Sequence, residues 1–334
     1  MSDQLPFVIY RYPNDSELHG IYQEDATIHK AGNFKEPGFV LAPFATDSEQ
    51  ILVMGEYVRE KMDHLQIEER DKTLKFSNDG KDFHLKLVGD AITEIKRGHL
   101  RKVVLSRVIN TSTTRSPAQI FIALLAKYPS AFCYWWHHPK IGMWLGATPE
   151  QLLQFQNGEI FTTSLAGTLP VQGDKKPNWT PKEMEEQQMV TDYIAQSLEG
   201  RVTGLKISQP SNQKAGKLWH LKSTISGRLT SLDGLMETIK SIHPTPAVCG
   251  LPKMESLNYI TRHENYHREY YTGFLGPINL DGKERINLFV NLRCLKFSSG
   301  KVRVFVGGGV TENSNPEREW EETQLKSGTI LEVL

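Results

Sequence analysis

Two pairs of glutamates at helical spacing and a lysine that opens an apolar strand are the residues of this 334-residue chain best placed by type to do chemistry. Glu183 and Glu186 follow Thr180-Pro181, and Glu319 and Glu322 follow Asn315-Pro316. At i and i+3, each pair lies on one face of a helix. If the two faces meet, four carboxylates converge, and such a cluster stays ionised only around a cation. Oxygen-only ligands point to Mg²⁺ or Mn²⁺, held by one or two carboxylates together with water and a substrate anion. Taken alone, each pair is more simply a solvated helix face, and Glu183 also completes a capping box with Thr180.

On the expected strand Lys102–Ile109, alternation places Lys102, Val104 and Ser106 on one face and Val103, Leu105 and Arg107 on the other. A lysine at the edge of a buried apolar run can have a depressed pKa and serve as a general base. The plainer reading is a solvated strand end. Gly307, Gly308 and Gly309 stand between the strand Val302–Val306 and the helix start at Pro316. They could offer backbone N–H groups to an anion or form a tight turn at positive φ, and they match neither GxGxxG nor GxxxxGK[ST]. Lys326, one turn beyond Glu322, is placed to pair with it or to face the same anion. His263, Glu264 and His267 match HExxH, which on a helix would offer two imidazoles to zinc and a glutamate as base. Polar flanks, a strand pattern soon after Gly273 and no third ligand favour a structured polar turn there.

These residues need elements to hold them. Residues 1–80 alternate short apolar runs (Phe7–Tyr10, Phe39–Ala42, Ile51–Met54) with Gly, Pro and Asn breaks, a pattern of short strands. Asp82–Leu100 carries apolar residues at helical spacing and is ended by Gly98. Further strands are expected at Ala131–His137, Met143–Ala147, Gln151–Gln154, Ile160–Ala166, Leu218–Leu229, Tyr271–Asn279, Arg285–Phe297 and Val302–Val306. Further helices are expected at Pro117–Lys127, Pro181–Leu198, Leu232–Ser241 and Pro316–Leu334. Two of the helix starts, Thr180-Pro181 and Asn315-Pro316, combine a polar N-cap with Pro at the first helical position. Long strands with few helices between them give an α+β class with large antiparallel sheets.

Composition bounds the rest. With 39 basic and 39 acidic residues the chain has no formal net charge, which argues against a nucleic-acid or membrane-surface protein, so any anion site must be local. The N-terminal residues show neither a basic nor an apolar leader region, and no apolar run approaches a membrane span, so a cytoplasmic protein is expected. Cys133, Cys249 and Cys294 are widely spaced and odd in number, as suits reduced thiols. No linker divides the chain, and 1–334 reads as a single domain.

Taken in order, Lys102–Arg107, Gly146–Glu150, Ser164–Thr168, Lys182–Glu186, His243–Gly250, Tyr271–Gly273 and the stretch from Gly307–Gly309 through Pro316–Lys326 resemble the chorismate-utilising enzymes. That family includes isochorismate synthase, salicylate synthase and the first components of anthranilate and aminodeoxychorismate synthase. The resemblance covers residues from about 90 onward, making 91–334 the catalytic core and 1–90 a divergent, short N-terminal part of the sheets. It implies two large antiparallel β-sheets packed face to face with outer helices, a cleft between the halves, chorismate as substrate and Mg²⁺ as cofactor. By resemblance, Glu186 and Glu322 are direct metal ligands and Glu183 and Glu319 the second pair. Gly167, Thr168, Gly307, Gly308, Gly309 and Lys326 receive the ring carboxylate, Tyr271 and Arg293 hold the enolpyruvyl carboxylate, and His243 lines the same cleft.

Resemblance also assigns Lys102 as the base that activates water for attack at ring C2, and Glu150 as the acid that protonates the departing C4 hydroxyl. This requires a depressed lysine and a raised glutamate. Relatives that add ammonia generally lack the lysine, and the aminodeoxychorismate branch puts a nucleophilic lysine where Ala166 stands, so no glutaminase subunit is expected. Isochorismate synthase is therefore the expected activity, and salicylate synthase, which goes on to eliminate pyruvate, stays open. So does the destination of the isochorismate: menaquinone, a siderophore or salicylate. Gln187 stands where many relatives have His. No interface helix stands out, and a monomer is expected.

Overall fold

The computed structural model describes residues 5–45, 48–62, 76–171, 173, 176–215 and 218–334. Every strand pairing within it is antiparallel. One sheet runs in the order Gly250–Leu251, Lys102–Ser112, Lys301–Val310, Cys294–Ser298, Gly142–Thr148, Phe132–His138, Phe7–Arg11, Glu17–Tyr22, Glu56–Lys61. The other runs Val202–Ile207, Leu218–Leu229, Glu159–Pro170, Gln151–Gln156, Arg285–Val290, Phe274–Ile278, Gly38–Ala42, Ile51–Val53, His29–Lys30, and Ser211–Ala215 also pairs on Leu218–Leu229. The short N-terminal strands thus extend both sheets at one end, and the residues singled out for chemistry lie towards the other.

Alternation along these strands sends large apolar residues inward, where the two sheets face each other. Tyr10, Phe132, Tyr134, Trp136 and Trp144 of the first sheet share a buried cluster with Phe39, Leu41, Leu275 and Phe289 of the second. Phe132 and Phe289 stack across the interface with ring centroids 4.1 Å apart. The α+β class with large antiparallel sheets is what the strand pattern predicted, and their face-to-face packing is what the resemblance implied.

Among the described residues six α-helices cover the outer faces: α1 (Lys81–Lys96), α2 (Pro117–Lys127), α3 (Pro181–Leu198), α4 (Leu235–Ile242), α5 (Lys253–His263) and α6 (Pro316–Leu331). Helices α3 and α4 pack Val190, Ile194, Leu198, Ile239 and Ile242 on the second sheet, whereas α2 and the end of α6 cover the first. Both Pro-initiated starts hold: the Asn315 side chain accepts from the N–H of Arg318 at 3.2 Å, and Thr180 forms a capping box with Glu183. None of the described helices is long and apolar enough to cross a membrane.

Three expectations change. Arg285–Phe297 is two strands in different sheets, because Arg293 takes φ +48 and turns the chain between Val290 and Cys294. The strand expected from Tyr271 starts at Phe274, after Thr272 at φ +60. Helix α5 was not foreseen: its sequence is rich in polar residues, and it buries only Ser256, Tyr259 and Ile260.

Candidate active site

The floor of the site is a ladder. Gly307, Gly308 and Gly309 are neither a turn nor an anion loop; they pair in register with Ser106, Leu105 and Val104 inside the strand Lys301–Val310, and none has positive φ. Their value is the missing side chain. A Cβ on Gly309 would lie 2.8 Å from Glu186 Oε1 and 3.0 Å from Lys102 Cε, and one on Gly308 would lie 3.3 Å from Glu319 Oε2 and 3.5 Å from Glu322 Oε1. Three of the four predicted carboxylates, from α3 and α6, therefore settle against the same bare stretch of strand.

Each of the three carries a lysine. Lys102, fully buried, donates to Glu186 Oε1 at 2.8 Å. Lys182 donates to Glu319 at 3.3 Å, and Lys326 pairs with Glu322 at 2.5 Å while donating to the carbonyl of Gly307 at 3.1 Å. Burial pushes Glu186 up, but Lys102, Lys326 and Lys182 outweigh it and leave the carboxyl below its usual range. Glu319 goes the other way: burial and then the neighbouring Glu322 raise it against the pull of Lys182. Among the described residues no three acid, His or Cys side chains are gathered as a bound metal would gather them. The donor set, oxygen only and on a floor cleared of side chains, is nonetheless of the kind a hard divalent cation takes.

The fourth carboxylate is elsewhere. Glu183 accepts from the backbone N–H of Thr180 at 3.0 Å and from its hydroxyl, so it closes the N-terminus of α3. Its backbone packs on Gly167, whose φ of +74 and lack of a Cβ let α3 come within van der Waals contact. Gln187 also turns from the carboxylates: its Nε2 donates to Ser164, Thr191 and Ser223 hydroxyls, each at 3.0 Å, tying α3 to the sheet.

A cleft opens above the glycines, lined by Glu150, Ala166, Gly167, Thr168, Glu186, Tyr271, Arg293, Gly307–Gly309 and Lys326. Glu150 is only 5% exposed. Burial drives its pKa up to about 7, against the lowering influence of Lys102 and Lys326. Tyr271 stacks on Phe305 at 5.5 Å, and Arg293 Nη1 donates to the carbonyl of Lys326 at 2.9 Å and to Thr329 at 3.3 Å. Both walls rest on backbone that non-glycine residues seldom adopt, at a cost of about 1–3 kcal/mol each: Thr272 at φ +60, next to Tyr271, and Arg293 itself.

The assignment of His243 to the cleft fails. His243 is buried outside the cleft, its ring edge-on to Phe274 at 5.0 Å and its pKa lowered to about 3 by burial; only the turn after it, at Ala247 and Val248, reaches the lining. The zinc alternative at HExxH, already disfavoured by its polar flanks, does not hold either. Helix α5 ends at His263, so His263 and His267 do not share a helical face; both are exposed, and His263 instead bonds the carbonyl of Tyr259 and stacks on its ring.

His220 was missed. It lines the cleft from the strand Leu218–Leu229, and its Nδ1 meets the carbonyl of Gly167 at 3.0 Å, where a bulge interrupts the ladder between Ala166 and Leu169. Burial, then Arg293 and Lys326, hold it neutral, at about 3. The available signal was a lone imidazole in an apolar run facing a Gly-Thr pair.

Residues 29–332 match the model of a family described as chorismate binding enzymes. A salicylate biosynthesis isochorismate synthase of Pseudomonas aeruginosa is 31% identical over 257 residues, 74% of this chain and 53% of the relative. The isochorismate synthase EntC of Escherichia coli is 32% identical over 246 residues, 70% of this chain and 62% of the relative. The matches thus span between half and two thirds of these relatives' length. In fold, the chain is similar to the solved structure of MenF, the menaquinone-specific isochorismate synthase of Escherichia coli, with a TM-score of 0.81 at 21% identity over 100% of this chain and 90% of that one.

Proposed function

Because the chain belongs to the chorismate binding enzyme family, we propose that it converts chorismate to isochorismate. The observation that carries this reading is Glu150, a buried carboxyl held near 7 in one cleft with Arg293 and Lys326 and within the field of Lys102. A carboxyl so placed is protonated in about half of the molecules at neutral pH, and those can give the proton away. In the proposed reaction Lys102 takes a proton from a water that attacks ring C2, while Glu150 protonates the C4 hydroxyl, which leaves as water as the ring double bond shifts. One water enters and one departs, so the product is an isomer.

Lys102 must be neutral to act as base, which requires Glu186 to exchange its present bond for another partner. Arg293 offers a planar fork to the enolpyruvyl carboxylate with Tyr271 beside it, and Lys326 with the Gly167–Thr168 backbone faces the ring carboxylate. Ala166 leaves no amine in that wall, which supports water as the nucleophile and removes the need for a glutaminase partner. Glu186, Glu319 and Glu322 would hold Mg²⁺, which when bound supplies positive charge for a substrate carboxylate; Glu183 remains with its helix cap.

The test is to incubate the purified protein with chorismate and Mg²⁺, with an EDTA control, and resolve the products by liquid chromatography and mass spectrometry. A metal-dependent mixture of chorismate and isochorismate is expected. Salicylate with equimolar pyruvate would move the chain to the salicylate synthases, and no turnover would overturn the reading.

A further inference from the structure

The strand Lys102–Ser112 is left with a free edge once its short partner Gly250–Leu251 ends. Beyond Val103, one more backbone contact continues that pairing, and side chains then take over the edge. The N–H of Val104 donates to the carbonyl of Cys249 at 2.8 Å. Arg268 Nη2 donates to the carbonyl of Val104 at 2.7 Å, and the N–H of Ser106 donates to Glu264 Oε1 at 2.8 Å. A strand in that place would supply the same alternation of donor and acceptor.

Arg268 and Glu264 are themselves an ion pair, with side chains 3% and 1% exposed. All five N–H donors of the guanidinium have acceptors. Nε and Nη2 reach Glu264 at 2.8 and 2.6 Å, Nη2 also reaches Val104, and Nη1 reaches the carbonyl of Val248 at 3.0 Å and the hydroxyl of Thr272 at 3.2 Å. Glu264 additionally accepts the Ser106 hydroxyl at 2.7 Å. Val104, Val248 and Thr272 come from three separate segments, and all three line the cleft. Arg268 therefore joins three of its walls, and one of its contacts fixes the residue whose unusual φ turns Tyr271 towards the site.

We propose that Arg268 and Glu264 are positioning residues that set the places of Lys102 and Tyr271 by standing in for a missing strand at the edge of the sheet. The inference rests on the isochorismate synthase reading for its assay. Neither residue touches the cleft, so each acts through the backbone it holds.

The test compares Arg268→Lys and Glu264→Gln with Arg11→Lys, a control at a buried arginine that bonds the carbonyls of Leu125, Tyr128, Pro129 and Ala131 instead. Folded fraction is measured by circular dichroism and thermal melts, and kcat and KM for chorismate are taken well below each melting temperature. Arg268→Lys is expected to lower kcat per folded molecule at least tenfold and to raise KM severalfold, while Arg11→Lys lowers the melting temperature and leaves both constants within twofold. Constants within twofold of the unmodified protein in Arg268→Lys, or a loss accounted for by unfolded molecules alone, would overturn the proposal. If Arg268→Lys does not fold, Thr272→Val carries the test, since it deletes one clamp contact without stranding a charge; a KM increase is expected and an unchanged KM overturns. Should the unmodified protein convert no chorismate, the functional reading fails separately. The clamp is then read by amide hydrogen exchange at Val104–Ser106, which Glu264→Gln accelerates if the proposal holds and leaves unchanged if it does not.

Discussion

Two ion pairs sit beside the strand Lys102–Ser112, and they are built oppositely. Arg268–Glu264 uses every donor of the fork and four acceptor contacts on the carboxylate. Lys102–Glu186 is a single contact at 2.8 Å between a fully buried ammonium and a carboxylate with 16% of its side chain exposed towards the cleft. Saturation makes the first pair rigid: either partner's loss would strand a buried charge, a defect that costs about 3–5 kcal/mol. The second pair has spare hydrogen-bonding capacity on both sides, so it can exchange partners, as proton transfer and cation binding demand. Two cation–carboxylate pairs beside one strand thus separate scaffold from chemistry by how completely they are satisfied.

The sharpest way to break that contrast is to remove the site's acid and base. Lys102→Ala and Glu150→Gln are each expected to lower kcat by roughly two or more orders of magnitude, the scale of a general acid or base, with circular dichroism unchanged. A variant that retains near-normal turnover removes its residue from the mechanism. The corresponding loss at the other pair falls on stability: the melting temperature of Arg268→Ala should drop further than that of Lys102→Ala, and the reverse order would erase the distinction.

Glu150 adds a pH signature. Its role needs the protonated form, so kcat should fall as pH rises through about 7. The same shift costs stability. A carboxyl raised from 4.5 to about 7 by burial is no burden below the unfolded value and disfavours the fold by about 3 kcal/mol once pH exceeds the folded value. Glu150→Gln should therefore melt higher than the unmodified protein at pH 8, with the gain shrinking towards zero near pH 4. Equal melting temperatures at pH 8 would show that the carboxyl is not held up.

A smaller effect tests the glycine floor. Gly309→Ala puts a methyl 2.8 Å from Glu186 Oε1 and 3.0 Å from Lys102 Cε, whereas Gly308→Ala meets Glu319 at 3.3 Å and Glu322 at 3.5 Å. Both positions are ordinary strand backbone, so the fold should accept alanine. Gly309→Ala is expected to reduce kcat/KM more than Gly308→Ala, and a reversed order in steady-state kinetics would mean that the approach of Glu186 to the strand is not what the glycines serve.

That floor also shows what was legible in the sequence. The two Glu-x-x-Glu pairs, their Pro-initiated helices and the apolar alternation of the sheets could be read directly, because each is a local pattern with a fixed period. The glycine run could not, since a glycine that opens a turn and one that clears a strand are the same letter, and only pairing with Val104–Ser106 decides between them. His243 was placed in the cleft with its motif, yet only the turn after it reaches the lining. Glu264 was read only as part of HExxH and Arg268 not at all, because the strand groups they hold, at Ser106 and Val104, lie more than 150 residues away.

The smallest expected change belongs to the sequence's most literal motif. If His263-Glu264-x-x-His267 were a metal site, His263→Ala would abolish activity along with bound zinc. In the structure the helix stops at His263, the imidazole is spent on the carbonyl and ring of Tyr259, and Glu264 faces inward to Ser106 and Arg268. His263→Ala should leave kcat/KM within twofold and elemental analysis should find no zinc in either protein, whereas Glu264→Gln, one residue on, should be impaired. A loss of tenfold or more in His263→Ala would return the motif to the chemistry and Glu264 to the role of base. The expected split between adjacent residues follows from direction alone: one points out from the end of a helix, and the other points in at the edge of the sheet that carries Lys102.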